Sequence, residues 1–109
     1  MKFLVTLIIL VVLATPSYAV YDIQADIEAD IATIAQCQAI AQLCGLTMES
    51  RENANQYLIE YINQNIPTEK VSEITDLTTE FIVEQVKKLQ GTITGEKCNI
   101  FAEVWYQQF

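Results

Sequence analysis

DIQADIEADIATIAQCQAIAQLCGL, residues 22–46, is the stretch that decides the fold. Ile23, Ile27, Ile31, Ile34 and Ala41 recur at helical spacing, which places them on one stripe. Asp22 is the predicted cap at the start, because a short carboxylate accepts from the free backbone N–H groups of a first turn. Gly45 followed by Leu46 is the predicted stop: glycine enters the left-handed conformation after the last turn without steric cost, and the leucine folds back on the helix. A first helix from about Asp22 to Cys44 follows.

The rest of the chain repeats this pattern of apolar stripe and punctuation. A second helix is expected from about Ser50 to Asn65, with Ala54, Tyr57, Leu58, Tyr61 and Ile62 on one face and Pro67 preventing continuation. Thr68 is the expected cap of a third, from about Glu69 to Gln90, buried through Val71, Ile74, Leu77, Phe81, Ile82 and Leu89, with Gly91 ending it. A fourth runs from about Glu96 to Phe109, with Cys98, Phe101, Ala102, Trp105 and Phe109 on its stripe. Short connections favour antiparallel neighbours, so the expected fold is all-α, a small up-down four-helix bundle.

Ahead of this lies a leader. Lys2 supplies a positive start, Phe3 to Ala14 is apolar apart from Thr6, and Ser17-Tyr18-Ala19 offers the small residues that a signal peptidase needs. The expected organisation is a signal peptide over residues 1–19 and one helical domain over residues 20–109, beginning at Val20. The expected location is the periplasm or the exterior, with no stable membrane insertion after cleavage. Taking 19 residues from 109 leaves 90, one small domain for which a covalent staple matters.

Three cysteines are available for that staple: Cys37, Cys44 and Cys98. On one helix Cys37 and Cys44 stand about 10 Å apart along the axis, beyond disulfide reach. Cys98 therefore pairs with one of them, and in an up-down bundle the end of the first helix matches the start of the fourth. The expected bond is Cys44–Cys98, leaving Cys37 as a buried small residue or a thiol for an intermolecular bond.

Charge and composition exclude several functions. Without Lys2 the chain has five Lys/Arg against 14 Asp/Glu, a net charge of −9. Its basic residues, Arg51, Lys70, Lys87, Lys88 and Lys97, are scattered, which argues against nucleic acid and anionic membrane surfaces as partners. There is no histidine, so the commonest general base and zinc ligand are missing. No close-spaced cysteine pair, nucleophile elbow, phosphate loop or dinucleotide fingerprint occurs. No catalytic residue, metal ligand or cofactor is assigned, and an enzyme is not expected.

What remains is binding. Asp22, Asp26, Glu28 and Asp30 follow one another closely at the start of the first helix, a part expected to project beyond the bundle. Acidic residues there suit the helix dipole, and they also offer a contact to a basic protein surface. The expected architecture resembles small exported bundles found among bacterial immunity proteins that neutralise periplasmic toxins and among secretion-system pilotins. That likeness is architectural and carries no residue across. The function expected is protein–protein binding of the immunity, inhibitor or secretion and assembly type; the alternative is a carrier holding a small apolar ligand between its helices.

Overall fold

A computed structural model describes residues 23–109. The leader, its cleavage point before Val20 and the acidic residue Asp22 lie outside the described residues. Those described form four α-helices: α1 (Ala25–Leu43), α2 (Met48–Asn65), α3 (Thr68–Leu89) and α4 (Gly95–Gln108). None is long and apolar enough to cross a membrane.

The ends of the helices follow local chemistry, with three departures from the sequence expectation. α1 starts at Ala25 with Gln24 at the cap position and no side-chain cap bond, so the capping role expected of Asp22 is not filled by a neighbouring carboxylate. α2 starts two residues before Ser50: Thr47 is its cap, and the Thr47 Oγ1 accepts from the Ser50 backbone N–H at 3.3 Å. Thr68 is the first residue of α3 rather than its cap, which falls to Pro67. Proline lacks an N–H and has a fixed φ, so it leads into a helix without needing a donor satisfied. Gly45 behaves as expected, with φ 66°, Gly45 N–H bonded to Gln42 O at 3.2 Å and Leu46 N–H to Ala41 O at 3.0 Å. Those two bonds are the paired closure of a left-handed helix end.

α1 is more deeply placed than one apolar stripe implies. Every residue from Ile31 to Ala41 except Gln38 is buried, so the helix is enclosed on all sides. Alanines make this possible: Ala32 and Ala35 let α3 approach closely, and Phe81 packs there. The larger residues Ile31, Ile34 and Ile40 join Leu58, Ile62, Ile74, Phe101 and Trp105 in the main core. A helix covered all round is ordinarily a feature of larger domains, and here the other three helices supply the cover.

Long-range contacts give the helix directions. Asp30 near the start of α1 meets Tyr61 near the end of α2, so these two run antiparallel. Gln36 meets Gln85 across α1 and α3, with Gln36 Nε2 donating to Gln85 Oε1 at 2.8 Å. Ala32 and Ala35 meet Phe81 one turn earlier in both helices, so α1 and α3 run parallel. α4 begins beside Cys44 and ends beside Asn53 and Tyr57 of α2.

The Cys44–Cys98 disulfide is formed, with Cα atoms 5.5 Å apart and the two cysteines 54 positions apart in sequence. Next to it lies a hydrogen-bond knot. Trp105 Nε1 donates to Ser50 Oγ at 2.9 Å, and the Ser50 hydroxyl donates to Thr47 O at 2.8 Å. The Thr47 N–H donates to the Tyr106 hydroxyl at 3.0 Å. The covalent bond and the knot tie α4 to the corner between α1 and α2.

Candidate functional site

The end of the bundle away from the disulfide gathers negative charge. The first turns of α1 bring Asp26, Glu28 and Asp30, the last turns of α2 bring Glu60, and the first turns of α3 bring Glu69, Glu73 and Asp76. Lys70 is the one basic residue in those segments; Arg51, Lys87, Lys88 and Lys97 all fall toward the disulfide end. Helix dipoles favour this placement at the starts of α1 and α3, where backbone N–H groups face outward.

Three of the four acidic residues singled out in the sequence are described. Asp26 is exposed, while Glu28 and Asp30 are half-buried. The expectation that this segment projects beyond the bundle does not hold: Ile23 and Ile27 pack against the main core, and Asp30 accepts a 2.6 Å hydrogen bond from the Tyr61 hydroxyl. The tyrosine is long enough to reach across from α2, which draws the start of α1 inward. Asp30 is therefore part of a contact between helices and not simply a solvated charge.

That contact marks a depression of about 240 Å³ on the outer face of α2, lined by Tyr57, Glu60, Tyr61, Gln64 and Asn65. The spacing of these residues puts them on adjoining turns of one helix face. Both tyrosine rings are held from outside the depression, Tyr61 through Asp30 and Tyr57 through an edge contact to Phe109 with ring centroids 5.9 Å apart. Burial raises the Tyr61 phenol well above its ordinary value; its bond to Asp30 and the charges of Asp30 and Asp26 raise it further. Tyr57 is raised as well, by burial first and by Asp30 second. Both phenols thus stay neutral and polar beside fixed carboxylates.

A second depression, of about 170 Å³, lies over α1 between α2 and α3 and is lined by Gln38, Gln42, Met48, Arg51, Glu52, Asn55 and Ile82. Both depressions are open to solvent and are lined mostly by residues that carry a polar or charged side-chain group, unlike an enclosed cavity between helices.

The cysteines divide as the sequence implies. Cys44 and Cys98 are bonded, and Cys37 is fully buried, where burial pushes its thiol far above the ordinary value. A thiol kept protonated and covered is a poor nucleophile and a poor metal ligand. Among the described residues no group of three or more histidines, cysteines or carboxylates is placed to hold a metal ion.

Sequence reasoning missed the tyrosines as part of the site, because it read Tyr57 and Tyr61 as part of the apolar face of the second helix, as it read Phe81, Phe101 and Trp105 on the third and fourth. Phe81, Phe101 and Trp105 are buried, whereas Tyr57 and Tyr61 are half-exposed. The available signal was chemical: a phenol on the edge of a stripe keeps one end in water. No protein-family model, no curated protein and no solved structure matches this chain.

Proposed function

We propose that this protein is exported after loss of residues 1–19, works in the periplasm or outside the cell, and acts by binding a protein partner with a basic surface through the acidic end of the bundle. The role is of the immunity, inhibitor or secretion and assembly type. The observation that carries the reading is the separation of charge along the bundle, with Asp26, Glu28, Asp30, Glu60, Glu69, Glu73 and Asp76 at one end against a single Lys70. Such a field steers a basic partner and speeds its encounter. Export is supported by the apolar leader after Lys2 and by a cysteine pair at bonding distance, since disulfides persist in oxidising compartments.

The test is capture of a partner from a periplasmic extract with the oxidised protein, followed by binding measured against salt. Association is expected to slow as salt rises, because screening acts over about 8 Å at physiological ionic strength. Asp26→Asn with Glu28→Gln should slow it further at low salt while leaving helix content unchanged. Neutralisation is preferred to reversal at Asp30, because lysine there would break the Tyr61 bond as well as remove charge. Unchanged association in the Asp26→Asn, Glu28→Gln protein rejects the acidic end as the contact.

A further inference from the structure

The depression on α2 has features that the general acidity of this end does not require. Its walls are two tyrosine rings fixed by contacts outside it, and its remaining lining is one carboxylate, Glu60, and two amides, Gln64 and Asn65. Asn65 is itself fixed, its Nδ2 donating to the Tyr61 backbone carbonyl at 2.8 Å. Rings locked in place before a ligand arrives lose little freedom when it does.

We infer that this depression is a seat for an organic cation, a guanidinium or quaternary ammonium head group, held against the rings of Tyr57 and Tyr61 and balanced by the carboxylates of Glu60 and Asp30. The faces of tyrosine rings attract cations, and attraction grows where water is partly excluded. Glu60 lines the depression, and Asp30 accepts from the hydroxyl of Tyr61, which also lines it, so one carboxylate stands in the lining and a second is one hydrogen bond away. The depression, of about 240 Å³ and open to solvent, leaves room for a guanidinium or trimethylammonium group to rest against the rings. Weakly hydrated cations fit better than a primary ammonium or a metal ion: leaving water costs a guanidinium less, and a metal ion would need several converging oxygens.

The inference deepens the protein-binding reading and rests on it where the cation is an arginine of the partner; a free quaternary ammonium compound requires no partner. The two sources are separable. The oxidised protein is titrated with choline, with N-acetyl-arginine amide and with 3,3-dimethylbutan-1-ol, the neutral carbon isostere of choline, while the ring signals of Tyr57 and Tyr61 are followed by NMR. The expected result is saturable shifts of both rings with a cation and none with the isostere. Response to N-acetyl-arginine amide alone identifies a partner's arginine as the occupant, response to choline alone identifies a small ammonium compound, and response to both establishes a general cation seat. Equal binding of the neutral isostere, or no response to either cation, overturns the inference.

Variants separate the rings from the charge. Tyr57→Leu should weaken cation binding by about 2- to 30-fold, the range that corresponds to loss of one ring face. Asp30→Asn keeps an acceptor for Tyr61 and removes only charge, so it should weaken binding and flatten its salt dependence while the fold persists. Unchanged affinity in the Asp30→Asn protein overturns the role given to charge even if Tyr57→Leu fails to fold. Failure to capture a protein partner leaves the choline result standing, and failure of both cations leaves the partner reading standing.

Discussion

The two ends of this bundle are held by different means. At the disulfide end, Cys44–Cys98, the Trp105–Ser50 bond and the Tyr106–Thr47 bond join α4 to the α1–α2 corner, and each buried polar atom in that knot has a partner. At the other end, the side-chain bond from the start of α1 to α2 is that of Tyr61 to Asp30, amid carboxylates that repel one another. The neutral end is tied by a covalent bond and a side-chain knot, whereas the charged end is held by apolar packing of Ile23, Ile27, Ile31, Ile62, Ile66 and Ile74 together with that one bond. Proteins place unfavourable local arrangements where function needs them and offset them elsewhere, which is why the acidic end carries the functional reading. Perturbing each end separately tests that division.

The largest effect is expected from Trp105→Ala. Trp105 is fully buried, stacks on Phe101 at 5.6 Å between ring centroids and meets Phe109 at 4.7 Å. Its removal leaves a large cavity and should cost about 3–5 kcal/mol, read as a lower urea midpoint. A loss below about 1 kcal/mol would show that α4 is peripheral to stability.

Opening the disulfide by Cys44→Ser with Cys98→Ser comes next. A closed loop spanning 54 residues is worth about 4 kcal/mol on chain entropy, an upper figure because measured values often fall below it. The protein should unfold at lower denaturant, and the Tyr61–Asp30 contact at the far end should persist until global unfolding. Early loss of that contact would mean that the two ends are coupled.

Ser50→Ala is a smaller cut in the same knot. It leaves the buried Trp105 N–H without an acceptor, at a cost of about 1–3 kcal/mol. Ser50→Thr keeps the hydroxyl and should recover part of the loss, whereas an equal loss in both would place the effect in packing.

How much of this was legible in the sequence depended on how local the signal was. The four helices and the Gly45–Leu46 stop are written in runs of adjacent residues, and the Cys44–Cys98 pairing followed from helix rise and connection length. The all-round burial of α1 was hidden because alanine reads as neutral in a stripe, although Ala32 and Ala35 face Phe81 and belong to the interior. The cap at Thr47 was missed because the second helix was expected to begin only at about Ser50, three residues on. The Gln36–Gln85, Asp30–Tyr61 and Ser50–Trp105 bonds join residues 49, 31 and 55 positions apart, and no local pattern announces a partner at that distance. The acidic cluster was visible as composition, but its depression needed the tyrosines that the bundle brings beside it.

The smallest effect belongs to the acidic end, and it is one of pH. In the folded protein burial and the bond to Asp30 hold the Tyr61 phenol above its ordinary value, while in the unfolded chain it titrates near pH 10, roughly. Below that pH both states keep the proton, so the stabilisation is fully present. As pH rises past about 10 the unfolded chain releases its proton while the folded protein retains it, and stability falls. Tyr61→Phe has no phenol to titrate and loses this component, so its urea midpoint should decline less steeply than that of the parent between about pH 9 and about 11. The other tyrosines are common to both proteins and cancel in the difference. Parallel declines would show that the Tyr61–Asp30 bond contributes nothing to holding the acidic end, and the contrast between the two ends would then rest on the disulfide knot alone.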